Sequence, residues 1–89
     1  MTWKIEIVPG AKKELDKLDR QVAKRILKFL HKRVASLKNP RSIGDALKGY
    51  KFGEYWRYRV GDYRIITKIE DNFLLIIVLR VGHRRQIYN

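Results

Sequence analysis

Asn39-Pro40 separates a helix-period stretch from an alternating one, and no single type of secondary structure satisfies both. Before it, Val22, Ile26, Phe29, Leu30, Val34 and Leu37 recur at helical spacing, with Lys24, Arg25, Lys28, Lys32 and Arg33 filling the other positions. Asp19 is placed to cap this helix, and the residue before a proline disfavours helical geometry, so the helix is expected to end near Lys38. Ahead of it, Ala11, Leu15 and Leu18 make a shorter amphipathic helix, and the two form an antiparallel hairpin. After the division the period falls to two: Tyr55–Val60 alternates, Gly61-Asp62 reads as a two-residue hairpin turn, and Tyr63–Ile69 returns. Glu70-Asp71-Asn72 turns again, and Phe73–Val81 is a continuous apolar strand that Gly82 breaks. Trp3–Ile7 alternates as an N-terminal strand closed by Pro9-Gly10.

The expected fold is therefore α+β in a single domain over residues 1–89: a strand, a helical hairpin, then a three-stranded antiparallel meander, with the helices on one face of a twisted sheet. Residues 41–53 read as a loop with one helical turn around Ile43–Leu47, and His83–Asn89 as a basic tail adding a few strand residues.

Charge narrows the function. Twenty-one Lys and Arg against nine Asp and Glu give a net +12, which favours a polyanionic partner and salt-sensitive association. With no cysteine, disulfides and thiolate metal sites are excluded, and two histidines give no metal set. The Lys-Ser/Thr of a phosphate-binding loop does not follow Gly44 or Gly49. The apolar run Phe73–Leu79 is far shorter than the about twenty residues a spanning helix needs, and Met1–Pro9 lacks the apolar core of a signal peptide, so a soluble cytoplasmic protein is expected, with no membrane partner.

In the strand Tyr55–Val60, Trp56, Tyr58 and Val60 share one side and suit the core, which leaves Tyr55, Arg57 and Arg59 on the uncovered face. Arg64 follows the turn, and Arg80, His83, Arg84, Arg85 and Tyr88 lie at the end of the last strand and in the tail. Consecutive meander segments are neighbours, so these side chains can converge. Arginine offers phosphate a planar two-pronged donor, and tyrosine offers an unpaired base a stacking surface. Asp45, Glu54, Asp62, Glu70 and Asp71 fall mostly in loops and show no paired-carboxylate spacing.

Leu47-Lys48-Gly49 followed by Tyr55–Ile65, together with Val81–Tyr88, resembles the RelE branch of the RelE/ParE toxins, and the helical hairpin and chain length agree. The resemblance implies a fold similar to microbial ribonucleases without their usual Glu/His pair. It implies a toxin that enters the ribosomal A site and cuts messenger RNA by 2′-hydroxyl attack, leaving a 2′,3′-cyclic phosphate. It also implies an acidic, partly disordered cognate antitoxin that wraps and neutralises it. Carried onto this chain, Arg64 and Arg84 stabilise the phosphate and Tyr88 stacks on a base or assists proton transfer. Tyr55 and Arg57 stand where the best-known member carries lysines. Arg57 can bind charge but cannot take a proton, which leaves Lys51, Tyr55, His83 or Tyr88 as the base. His83 has the ordinary pKa nearest neutrality, or instead orients the tail by a backbone hydrogen bond. Lys48, Lys51, Tyr55, Arg59 and Arg85 are then contacts to flanking RNA or the ribosome, and no metal or other cofactor is required. The alternative within the superfamily is a ParE-like poison of DNA gyrase without nuclease chemistry.

Overall fold

The computed structural model describes residues 2–47 and 55–87. Strand β1 (Lys4–Ile7) leads into α1 (Pro9–Asp16) and α2 (Arg20–Lys28), followed by a short β2 (Asp45–Ala46) and then β3 (Tyr55–Val60), β4 (Tyr63–Glu70) and β5 (Leu75–His83). A last helix, α3, spans Arg84–Ile87. The strands form one sheet in the order β1-β5-β4-β3-β2, with β1 parallel to β5 and the other pairs antiparallel.

The period argument accounts for most of this. Asp19 caps α2 as expected, its side chain accepting from the Gln21 amide at 3.1 Å. Ala11 and Leu15 of α1 and Ile26 and Leu30 of the second helix are buried against Tyr58, Ile65, Ile76, Val78 and Val81 of the sheet. Both helices of the hairpin therefore cover one face, and Tyr58 and Val60 turn towards it while Arg59 is exposed. Gly61-Asp62 is the hairpin turn, with Val60 opposite Tyr63.

Five local expectations are corrected. The second helix does not continue regularly to Lys38: it passes into a π-helical turn over Phe29–Val34, where the Ala35 amide donates to Leu30 O at 2.9 Å. Leu30 and Val34 are both in the core. The Ala35 carbonyl then accepts from the Trp3 amide, anchoring the end of the helix to the chain entering β1.

The loop after Pro40 has no helical turn at Ile43–Leu47. A 3₁₀ turn covers Pro40–Ser42, and Asp45–Ala46 pairs with β3, which makes the sheet five-stranded. The last strand starts at Leu75, because Asp71–Phe73 is a 3₁₀ turn and Leu74 takes a left-handed conformation (φ 48°). It also runs through Gly82 to His83. A Cβ at Gly82 would come within 3.2 Å of Ile87 Cδ1, so glycine here makes room for α3. The expected strand-like tail is that helix, because the chain folds back over Gly82 once β5 ends.

Candidate RNA-binding and cleavage site

The uncovered face of the sheet is built from cross-strand rows. Arg59 pairs with Arg64, and Arg64 with Gly82. Arg57 pairs with Ile66 on one side and with Asp45 on the other. Opposed residues share a face, so Arg57, Arg59, Arg64 and Asp45 stand together on the side the hairpin leaves open.

Asp45, on the edge strand β2, joins two of these arginines. Its Oδ2 accepts from Arg57 Nη2 at 3.1 Å and lies 3.4 Å from Arg59 Nη2. The Arg57 side chain is only 19% exposed, whereas that of Arg59 is 56% exposed. One carboxylate therefore serves a sheltered guanidinium and a solvent-facing one. Arg64 Nη1 donates to the carbonyls of Gly61 and Tyr63, each at 3.1 Å, which folds its head against the β3–β4 turn. The Arg84 amide donates to Asp62 O of the same turn at 2.8 Å, so α3 begins beside Arg64. Tyr55 is half-buried in the adjacent row, opposite Lys68.

Asp45 owes its position to a strap of residues running back to Pro40. Tyr58 donates its hydroxyl proton to Pro40 O at 2.5 Å, and Trp56 Nε1 donates to Ile43 O at 2.7 Å. Arg41 grips Asp71 through two hydrogen bonds of 2.9 Å. Gly44 adopts φ +85°, and a Cβ there would lie 2.5 Å from Arg57 O, so the approach of the strap to β3 requires glycine. Burial pushes the Tyr58 phenol well above its ordinary pKa, with nearby Arg41 opposing more weakly. The hydrogen bond from Arg41 holds the Asp71 carboxyl below its ordinary value and raises the Arg41 guanidinium in return.

His83 stands apart from this cluster. It is the cross-strand partner of Tyr63, one residue out of phase with Arg64, and therefore faces the hairpin side. Its ring meets Tyr63 edge-on at 5.5 Å. Its Nδ1 accepts from the Arg85 amide at 3.2 Å, which is the tail-orienting contact. Arg84 and Arg85 are exposed. Arg80 is turned to Glu14 of α1 at 3.0 Å, while the other Glu14 oxygen caps the Val81 amide. Lys48, Lys51 and Tyr88 lie outside the described residues.

Asp45 is the residue that sequence reasoning passed over. Its contact with Arg57 depends on β2 pairing with β3, and a two-residue strand carries no periodic signal. Among the described residues, no group of three His, Cys, Asp or Glu side chains is placed to hold a metal ion, and no helix is long and apolar enough to cross a membrane.

A mixed sheet with a helical hairpin on one face and an arginine cluster on the other defines a class of small basic toxins. The chain belongs to the family described as the ParE toxin of type II toxin–antitoxin systems, whose pattern matches residues 5–88, and so to the RelE/ParE superfamily. Toxin RelG of Mycobacterium tuberculosis is 26% identical over 88 residues, which is 99% of this chain and 98% of that protein. The archaeal RelE–RelB complex from Pyrococcus horikoshii OT3 contains a chain 28% identical to this one, with a TM-score of 0.73 over 94% of this chain and 97% of that one. The RelBE2 toxin–antitoxin complex of M. tuberculosis gives a TM-score of 0.82 at 22% identity, over 94% and 93% of the two chains. The family pattern carries the ParE name and these relatives carry RelE names; both lie within the superfamily that the sequence motifs indicated.

Proposed function

We propose that this toxin is a metal-independent endoribonuclease that cuts messenger RNA in the ribosomal A site and is neutralised by an acidic, partly disordered antitoxin encoded beside it. The observation that carries the reading is the row Asp45–Arg57 beside Arg59–Arg64 on the uncovered sheet face. Arginines that share one face suit the extra charge that develops on phosphorus-bound oxygens in the transition state. The ribosome supplies alignment of the 2′-oxygen with the scissile phosphate. Arg57 and Arg64, with Arg84 next to the same turn, stabilise the charge, and Tyr88 stacks on a base.

A proton acceptor is also required, and arginine is not one. Asp45 is the carboxylate that meets Arg57 and Arg59. It takes the 2′-hydroxyl proton as the O2′–P bond forms, and the departing 5′-oxygen takes its proton from water. This role is set beside the four base candidates of the sequence, Lys51, Tyr55, His83 and Tyr88, of which His83 uses its Nδ1 to hold the tail. Relatives solved as complexes with RelB support an antitoxin partner for this chain. Ribosomes place its action in the cytoplasm.

Primer extension on translated messages after brief expression tests the reading. Cuts confined to translated regions and absent from the Arg64→Ala variant are expected. Cutting by a folded Arg64→Ala protein at the normal rate would overturn it. Because the family pattern carries the ParE name, a gyrase poison is the second reading. Inhibited supercoiling with intact messages would favour that one.

A further inference from the structure

The cluster beside Asp45 does not end at the sheet. Phe29, Arg33 and Arg59 line the cleft next to Asp45, and the same three line a groove between the second helix and the β3–β4 turn. That groove continues past Arg25 and Lys28, which also line a depression reaching Gln21. The Arg25 guanidinium overhangs the turn, with Nη1 3.5 Å from where a Cβ of Gly61 would stand. Arg25, Lys28, Lys32 and Arg33 are exposed, and none of them pairs with an acidic side chain among the described residues. Complementing the helix dipole accounts for cations in the last turn of α2, Arg25 and Lys28, whereas Arg59 faces them from strand β3.

We propose that this groove is a second RNA subsite, which takes the phosphodiester backbone of the message flanking the scissile bond and leads it off the sheet face, past Arg59 and Arg33, along the second helix. The inference rests on the nuclease reading for its ligand. Three features favour a nucleic acid strand. The walls are cationic, with Asp45 alone at the end nearest the reacting phosphate. Arg25, Lys28 and Lys32 are spread over roughly 10 Å of helix axis, enough for successive phosphates. Phe29 is half-buried in the floor, edge-on to Tyr58 at 6.0 Å, and offers an aromatic surface to an unstacked base. Continuity with the site singles out the substrate strand over a separate ribosomal contact.

Fluorescence anisotropy tests this with single-stranded 2′-O-methyl RNA, which lacks the attacking hydroxyl, so binding is read without cleavage. Oligonucleotides of about four and about twelve nucleotides are compared on the whole toxin. The double variant Arg25→Gln/Lys28→Gln should lose about tenfold in affinity for the long probe and little for the short one. Its log K against log salt slope should fall by about 1.4, two contacts' worth. Lys12→Gln/Lys13→Gln on α1 removes the same charge elsewhere and should leave the length dependence intact. Wild-type binding of both lengths by the groove variant overturns the proposal. So does an equal loss for both lengths, and so does a loss confined to ribosome sedimentation, which would make the groove a ribosomal RNA contact. Failure of the nuclease reading shows separately, as uncut messages with the length dependence retained.

Discussion

Asp45 and Arg57 face each other across the β2–β3 pair, and their side chains meet at 3.1 Å on the open face of the sheet. The pairing places an acceptor among groups that can only donate. It also leaves Arg57 sheltered and oriented before any phosphate arrives.

Replacing Asp45 by Asn keeps the shape and removes the base. Cleavage in the ribosome should fall about 10²–10⁴-fold, the usual worth of a positioned acid or base. Affinity for a non-cleavable RNA should hold or rise, since a negative charge has left the site. A parallel fall in binding and cleavage would make Asp45 a scaffold residue instead.

Arg64→Ala should lower the single-turnover cleavage rate about 10²–10³-fold, as for other lost transition-state donors. Its melting temperature should stay near that of the parent, because among the described residues the guanidinium bonds only the carbonyls of Gly61 and Tyr63. A rate within a few-fold of wild type would remove Arg64 from the chemistry.

Gly44→Ala forces a side chain into a left-handed backbone against Arg57 O. A cost of at least about 2 kcal/mol is expected, with a fall in melting temperature of about 10 °C or more for a domain this small. Activity should fall further than stability alone explains, because the strap carries Asp45. Thermal denaturation beside single-turnover cleavage separates the two effects.

Two ionisations should limit stability at the pH extremes. The buried Tyr58 phenol has a folded pKa above its unfolded value of 10.0, so its contribution is complete below that pH and is lost as pH rises through the folded value. Absorbance titration near the tyrosinate band should show one late tyrosine, absent from Tyr58→Phe. Asp71 behaves in the opposite sense. Its contribution is present above 3.8 and disappears as pH falls through the lower folded value. Asp71 is 61% exposed, so Asp71→Asn should cost under about 1 kcal/mol near neutrality. Chemical denaturation across pH checks both directions, and stability that rises above pH 10 or below pH 3.8 would contradict them.

The amino-acid sequence alone determined what is local or periodic. Apolar spacing defined the helical hairpin, alternation separated Tyr58 and Val60 from Arg57 and Arg59, and Asp19 marked the start of a helix. The motifs around Tyr55–Ile65 and Val81–Tyr88 carried the superfamily.

Tertiary structure decided what depends on register and on distant contacts. Phe29–Val34 forms a π-helical turn, which the apolar stripe could not distinguish from a regular helix. One residue of phase between Arg64 and His83 sends them to opposite faces of the sheet. Asp45 reaches Arg57 because Tyr58 and Trp56 hold the strap from Pro40 to Ile43, contacts spanning 18 and 13 residues of chain. Such contacts leave no periodic trace, since their energy comes from single hydrogen bonds between partners far apart in sequence.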